Sequence, residues 1–431
     1  MKRLLSCIAI AIVVSSASAR AETPDQAAAE RGRKALLAQS HLEGRWTLDG
    51  FHKLEKPDAS AIRDRYGLFA APYENGELPM GLRRRNGDSK HVVLDCLICH
   101  GGSLLGRSYV GLPNTANDLQ PLFRDLTKAS GLQPPPELIA VNRTRGLTNA
   151  GALGVLFIAF RNADLSPRSV PLALGWHKHP DLDAPAWWLL KKKQTMYCDG
   201  GMAAESTRSI MQFMLVPGRP REIVTAAEPV WDDIRRFILS VEPPKYPFPI
   251  DDAKAAKGKA IFNERCARCH GTYGPNGVYP NKIVPIGEIG TDRVRFDAIT
   301  DAARNHYNKT WYGEKHPAKK TAGYQAPPLD GVWATAPYFH NGSVPTVYHV
   351  LNSKARPKCY RRKPPDERSS FDSIRLGWRY DDVPPPVRFG KSEDRGLYDA
   401  RRFGAGVEGH PFGDDLADQE RFAVVEYLKT L

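Results

Sequence analysis

Two short cysteine motifs are the residues of this sequence best suited to do chemistry. Each has two cysteines separated by two residues and followed at once by a histidine; the motifs comprise Cys96, Cys99, His100, Cys266, Cys269 and His270. One turn of helix lets two thiols add to the vinyl groups of a porphyrin while the imidazole reaches the iron. A zinc ribbon would need closer cysteine pairs without a histidine after each. The motifs therefore predict two covalently bound haem c groups.

Helices must flank each motif to form a haem pocket. Apolar residues ending at Phe262 predict a helix that leads into the second motif. Residues 416–431 predict a closing helix, with Phe422, Val425 and Leu428 on one face. Residues 229–241 predict a similar closing helix for the first half. Its apolar residues recur every three or four positions, at Val230, Ile234, Ile238 and Val241.

The two motifs lie in separate halves of the chain, which predicts two domains. Four prolines within residues 242–251 forbid helix and favour an extended linker. We therefore expect a mainly α fold with little β structure, made of cytochrome c-like haem domains at 22–241 and 252–431. Residues 101–140 and 345–409 are expected to be long loops that wrap the haems or the domain interface.

The N-terminus predicts export. Lys2 and Arg3 precede an apolar run that ends in small residues before Glu22, which is typical of a signal peptide over residues 1–21. The apolar run is too short to be a stable membrane anchor. We expect a periplasmic or secreted protein.

Composition excludes several classes of protein. With 431 residues, 42% hydrophobic and 25% charged, the chain has the composition of a folded globular protein. The formal net charge is +13, but the basic residues are interspersed with 48 acidic ones and form no dense tract. Nucleic-acid binding is therefore not expected.

The paired motifs and residues 326–351 together resemble a known family. The segment APPLDGVWATAPYFHNGSVPTVYHVL, downstream of the second motif, is similar to the bacterial di-haem cytochrome c peroxidase superfamily. Related members are the MauG-type enzymes and the RoxA-type rubber oxygenases, and this segment most resembles the oxygenase-type branch. The resemblance implies that one haem accepts electrons while the other reacts with peroxide or oxygen.

The first haem is expected to have an open iron. The peroxidases often close this iron with a histidine soon after the motif, yet no histidine lies between His100 and His177. His177 and His179 are alternative ligands, although a loop pair of this kind is more often solvated surface. An open iron is a reactive iron.

The second haem is expected to have a closed iron. No methionine follows Met214, so histidine is the favoured sixth ligand. The resemblance to the oxygenase-type relatives favours His410, in a glycine-flanked stretch before the last helix. His340, another histidine or a tyrosine are the alternatives.

The resemblance also implies catalytic and relay residues. The segment ESTRSIMQFML is where distal residues are expected, and those that could polarise an oxidant or shield the iron are Glu205, Arg208, Gln212 and Phe213. Trp187 and Trp188 are candidate electron relays or simply core residues. The family's relay tryptophan is matched by Cys198.

Two further features of the sequence are each compatible with more than one interpretation. Thr335 and Pro337 match positions whose oxygens bind calcium in the peroxidases, so calcium is a candidate second cofactor; an ordinary turn is the alternative. A disulfide between Cys198 and Cys359 is compatible with an oxidising compartment.

Three functions are compatible with these residues. The commonest activity of the superfamily favours reduction of hydrogen peroxide, with electrons from a small cytochrome c or cupredoxin. A RoxA-like dioxygenase or oxidase of an organic substrate is the first alternative. An electron-transfer cytochrome without catalysis is the second.

Overall fold

The computed structural model describes residues 23–56, 60–133, 142–216, 218–384 and 395–431. The expected signal peptide therefore lies outside the described residues. Helix accounts for 39% of the structure and strand for 13%, so the fold is mixed and less purely helical than expected. Within the described ranges, no helix is long and apolar enough to cross a membrane.

The helices are distributed over both halves of the chain. In order they are α1 (Pro24–Ala38), α2 (Leu48–Leu54), α3 (Ser60–Tyr66), α4 (Leu97–His100), α5 (Leu119–Ala129), α6 (Ala150–Ala159), α7 (Thr207–Ile210), α8 (Arg221–Ala226), α9 (Glu228–Ser240), α10 (Asp252–Arg265), α11 (Ala267–His270), α12 (Ile286–Ile289), α13 (Val294–Ala298), α14 (Asp301–Lys309), α15 (Val347–Leu351) and α16 (Asp418–Leu428).

The strands are short and form sheets of two or three strands. They are β1 (Trp46–Thr47), β2 (Leu82–Arg85), β3 (Asp88–Leu94), β4 (Gly101–Leu104), β5 (Arg107–Val110), β6 (Thr195–Met196), β7 (Met202–Ala203), β8 (Ile283–Pro285), β9 (Gly323–Gln325), β10 (Cys359–Arg362), β11 (Phe371–Asp372), β12 (Gly377–Trp378), β13 (Tyr380–Asp382) and β14 (Leu397–Asp399).

The same helix crossing occurs once in each half. Helix α1 packs against α9, and α10 packs against α16. Each crossing is close because a glycine faces the partner backbone. A Cβ at Gly32 would lie 1.9 Å from the Asp233 carbonyl oxygen, and one at Gly258 would lie 1.8 Å from the Ala423 carbonyl oxygen. Both halves therefore use an early helix and a late helix in contact at a glycine.

We predict that Gly258→Ala destabilises the protein. Alanine favours helix over glycine by about 1 kcal/mol, but the methyl group would overlap a carbonyl oxygen and force the helices apart. The expected net loss is about 2 kcal/mol of unfolding free energy, measured by urea denaturation. Gly287→Ala is the control, because α12 leaves open space there; an equal effect of both substitutions would contradict the prediction.

The predicted helices are present, with one correction to their buried faces. Helix α9 buries Trp231, Ile234 and Ile238, whereas Val230 is 38% exposed. The larger indole occupies the core position because it is one residue further round the helix. Val425 and Leu428 of α16 are buried as predicted. Phe422 is half-buried and stacks on Tyr348.

The proline-rich linker is extended but docked. No helix or strand occurs between Val241 and Asp251. Tyr246 and Phe248 pack with Phe371, and the indole nitrogen of Trp333 donates to the Pro244 carbonyl at 2.9 Å. The linker therefore forms part of the C-terminal core.

The two expected long loops contain regular structure. Residues 101–140 include the β4–β5 hairpin and helix α5, and residues 345–409 include α15 and strands β10 to β14. The hairpin turns through Leu105 and Gly106, both with positive φ, which is the two-residue geometry that joins antiparallel strands. Asparagine or aspartate usually marks such a turn, so leucine conceals it in the sequence.

Candidate haem sites

The first cysteine motif forms a single helical turn. Cys96 precedes α4, and the His100 amide donates to the Cys96 carbonyl at 3.1 Å. Both thiols are free, and burial raises the pKa of Cys96 to about 12 and of Cys99 to about 11. The motif is thus an apolar site with two protonated thiols and one imidazole.

A buried ion pair holds the start of this turn. Asp95 accepts a hydrogen bond from the Arg83 Nε at 2.7 Å and from the Leu97 amide at 2.7 Å. The side chains are only 4% and 3% exposed, so the pair lies in the protein interior. Arg83, on β2, therefore positions the residue immediately before Cys96.

The second motif has the same local geometry. Cys266 precedes α11, and the His270 amide donates to the Cys266 carbonyl at 3.0 Å. Cys266 and Cys269 are free thiols. Helix α10 ends at Arg265, so the predicted helix leads directly into the motif.

Each motif histidine has the same second partner, a proline carbonyl. His100 Nδ1 lies 3.1 Å from the Pro185 oxygen, and His270 Nδ1 lies 2.8 Å from the Pro327 oxygen. A carbonyl only accepts, so Nδ1 must carry the proton and Nε2 is the nitrogen left for a metal. Burial lowers the pKa of both rings, to about 4 for His100, which favours the neutral, metal-binding form.

His410 faces His270 across a gap that fits an iron. The two ring centroids are 6.2 Å apart. With metal–nitrogen bonds of about 2 Å, a metal held by both imidazoles would fit between rings whose centres are roughly 6 Å apart. Burial lowers the pKa of His410 to about 4, so this ring too is neutral. The donor set at the second motif therefore fits a haem iron with two histidine ligands.

The backbone holds His410 in an unusual conformation. His410 has φ of +49°, and its amide donates to the Ile289 carbonyl at 2.6 Å. The preceding Gly409 has φ of +80°, and a Cβ there would lie 2.2 Å from the Gly290 carbonyl carbon. Non-glycine residues rarely adopt such φ values, which indicates that packing imposes this position.

The alternative ligand His340 has a different environment. Its ring stacks on Tyr324 with centroids 4.4 Å apart, and its backbone oxygen accepts from the Asp183 amide. Among the described ring contacts, His270 has the imidazole of His410 as its neighbour. The ring contact of His340 is with Tyr324 and not with His270.

At the first motif the neighbouring ring is an indole. Trp187 lies 5.3 Å from His100, and this is the ring contact of His100 within the described ranges. His177 is exposed. His179, expected at the surface with it, is instead 3% exposed, because the turn that begins at Gly175 directs this segment into the protein.

Two of the expected distal residues are exposed or ion-paired. Glu205 is exposed. Arg208 forms hydrogen bonds to Glu228 and Glu314 and to the Trp311 carbonyl, and its guanidinium stacks over the Trp311 ring at 3.9 Å. The guanidinium of Arg208 is therefore occupied by surrounding acidic and aromatic groups.

Gln212 and Phe213 lie along helix α6. Gln212 is the nearest side chain to Gly154, and Phe213 contacts Phe157 edge to face at 6.3 Å. Leu153 of the same helix packs in a cluster with Cys99. Phe157 packs against the same core cluster as Cys96, so this pair adjoins a cluster that reaches the first motif.

The adjacent tryptophans connect the two motifs. Trp187 contacts His100, while the Trp188 indole donates to the Asp330 carbonyl at 2.7 Å. Asp330 follows Pro327, the partner of His270, by three residues. Trp188 is also buried in the C-terminal core. The same residue therefore packs in the core and links the segments that hold the two motif histidines.

The remaining site predictions have mixed outcomes. The Thr335 hydroxyl donates to the Val332 carbonyl, as in an ordinary turn. No group of three or more His, Cys, Asp or Glu suited to a metal occurs in the part of the chain that the structure describes. Calcium therefore stays a prediction. Cys198 is a free thiol packed with Cys269, so it forms no disulfide with Cys359.

Several residues of the sites were missed by sequence reasoning. These are the carbonyl partners Pro185 and Pro327 and the ion pair Arg83–Asp95. Every residue carries a carbonyl, so no residue type marks the acceptor. The one available signal is that both prolines follow an alanine in an Ala-Pro pair.

Comparison with known proteins supports a c-type cytochrome. Residues 323–361, which include Pro327, match a family model described as RoxA-like, cytochrome c-like. The uncharacterized protein y4iM of Sinorhizobium fredii (strain NBRC 101917 / NGR234) is 28% identical over 305 residues, covering 58% of this chain and 66% of that protein. Protein y4iJ of the same strain is 28% identical over 260 residues, covering 44% and 41%. The chain thus spans less than two thirds of either relative, and its residues 323–361 are similar to a RoxA-like, cytochrome c-like domain.

Proposed function

We propose that this protein is an exported di-haem c-type cytochrome that acts as a dioxygen-using oxidoreductase. The observation that carries the proposal is the inequivalence of the two motif histidines. His410 faces His270 at a distance suited to an iron between them, whereas the ring next to His100 is the indole of Trp187. The second haem would be closed by two histidines and the first would be open.

The first site would hold haem through Cys96, Cys99 and His100. A haem iron with one protein ligand supplies a position for dioxygen or peroxide. The Pro185 carbonyl fixes the His100 tautomer and ring orientation. Phe157 and Phe213 would exclude water, and the Gln212 amide could donate a hydrogen bond to the oxidant.

Dioxygen is favoured over peroxide by the residues near this site. Peroxide cleavage benefits from a general acid or base. The two charged candidates do not supply one, because Glu205 is exposed and Arg208 is paired with Glu228 and Glu314. The RoxA-like match also supports the oxygen-using branch. An apolar pair with one amide suits oxygen binding and an organic substrate.

The two tryptophans would carry electrons between the sites. Trp187 contacts the ligand of the first haem, and Trp188 reaches the segment that holds the ligand of the second. A small cytochrome c or cupredoxin outside the cytoplasm would supply the electrons that reduce the irons. The substrate proposed here is an organic molecule, following the RoxA-like resemblance.

The proposal predicts that oxygen and peroxide behave differently. We expect anaerobically reduced protein to bind oxygen at one haem only, leaving the other spectrum unchanged in stopped-flow mixing. Gln212→Leu should speed oxygen dissociation about tenfold, because one hydrogen bond of about 1.4 kcal/mol is lost. Glu205→Gln is the control and should leave the rate unchanged. Stoichiometric reaction with peroxide, without oxygen binding, would instead favour a peroxidase.

A further inference from the structure

Three basic side chains lie between the two motifs: helix α13, which carries Arg295, contacts the turn just before His179, and the Arg295 charge acts on both His179 and His340. We name His179, Arg295 and His340 the junction cluster. Arg295 is 5% exposed, and its Nε and one terminal nitrogen have no hydrogen-bond partner among the described residues. His179 is 3% exposed, and neither ring nitrogen has a partner there; His340 has none for Nε2. Donors in this cluster are therefore left unpaired.

The cluster is connected to both proposed haem sites. The His340 ring packs on Tyr324. Tyr324 lies in one hydrophobic cluster with Cys198 and with Cys269, which is part of the second motif. The His340 carbonyl accepts from the Asp183 amide, two residues before Pro185, the partner of His100. The junction cluster therefore lies between the segments that hold the two motif histidines.

The neighbouring acid does not satisfy these donors. Asp199 lies 3.8 Å from an Arg295 terminal nitrogen, beyond hydrogen-bond distance, and its other oxygen accepts from the Gly201 amide. Burial and the Arg295 charge lower the pKa of His179 and His340 to about 3, so both rings are neutral and each carries one N–H. Buried N–H groups without hydrogen-bond acceptors are costly, so the missing partner of these donors must be an acceptor.

Arg295 keeps its charge in this environment. Burial is the largest single influence and lowers its pKa, but the nearby Asp199, Cys198, Tyr324 and Tyr197 together outweigh it, so the pKa is raised. The unpartnered Nε and Nη1 lie on different edges of the guanidinium, so each offers a separate N–H, and a charged donor favours an anionic acceptor. The polar groups therefore call for an anionic acceptor such as a carboxylate.

We infer that Arg295 binds a carboxylate, a propionate of one of the proposed haems, with His179 and His340 as further N–H donors. The inference rests on the proposed di-haem function. Haem c carries two propionates, and the cluster lies between the segments that hold its ligands. The positive charge of Arg295 would raise the reduction potential of that haem, because a cation beside the propionate favours the reduced iron.

The test is a redox titration of the holoprotein. Arg295→Gln is expected to shift the oxidation equilibrium of one haem at least tenfold toward the oxidised form, which is about 59 mV for one electron. Arg161→Gln is the control, because that buried arginine donates to the Val216 and Arg219 carbonyls. It should shift the oxidation equilibrium of neither haem by more than about threefold.

A free carboxylate is the competing source, and acetate is the probe for it. Wild-type potentials that are insensitive to acetate support the propionate. Potentials that respond to acetate in the wild type and not in Arg295→Gln would overturn it in favour of a small anion. If the glutamine variant does not fold, Arg295→Lys should still shift the resonance Raman propionate band of one haem, and an unshifted band would contradict the inference.

Haem content separates this inference from the proposed function. A pyridine haemochrome assay that finds fewer than two haems contradicts the di-haem proposal. Two haems with unchanged potentials in Arg295→Gln contradict the propionate contact alone.

Discussion

His410→Ala is expected to convert the second haem from a six-coordinate, low-spin state to a high-spin state in nearly the whole population. His410 is the imidazole that faces His270, at a centroid distance of 6.2 Å. Its backbone is fixed by the Ile289 carbonyl and by the close approach of Gly409 to Gly290. Another side chain could take the place of the His410 ring only by disrupting this packing. EPR and visible spectra of the ferric protein measure the change directly.

His340→Ala is the matched control for this prediction. His340 was the alternative ligand, but its ring stacks on Tyr324. The control should keep both spin states, although the junction cluster loses a donor. Added imidazole should restore the low-spin signal of His410→Ala. Loss of that signal in His340→Ala, with no effect of His410→Ala, would transfer the ligand role to His340.

Asp95→Ala is expected to cost about 3–5 kcal/mol of unfolding free energy. The substitution leaves the Arg83 guanidinium buried without its counter-charge, and it removes the acceptor for the Leu97 amide at the start of the first motif. Urea denaturation of the holoprotein measures the loss. Attachment of the first haem should also fall, because the turn that carries Cys96 loses its support.

An exposed ion pair serves as the control for Asp95. Asp297 pairs with Arg293 at side-chain exposures of 50% and 65%. Asp297→Ala removes the same charge and should cost no more than about 0.5 kcal/mol, because water solvates both partners. Replacing Arg83 and Asp95 together by Met and Leu should recover most of the stability. Equal losses of unfolding free energy for Asp95→Ala and Asp297→Ala would mean that the buried pair contributes no more to stability than the exposed one.

Much of the helical fold could be predicted because its signals are local. The spacing of Ile234 and Ile238 predicts α9, and the prolines of residues 242–251 predict an extended connection. The β4–β5 hairpin was missed because Leu105 is an uncommon turn residue. Short strands such as β10 were missed because their pairing partners lie far along the chain.

The sequence alone determined the two motifs at which we predict haem attachment, because two thiols and an imidazole must occur within one helical turn and are therefore adjacent in the chain. The tertiary structure alone decided which groups complete each site. It placed His410 opposite His270, buried His179, and paired Arg208 with Glu228 across twenty residues. It also brought the Pro185 and Pro327 carbonyls to the motif histidines over 85 and 57 residues. Such contacts depend on how distant segments pack, and no short-range spacing encodes them.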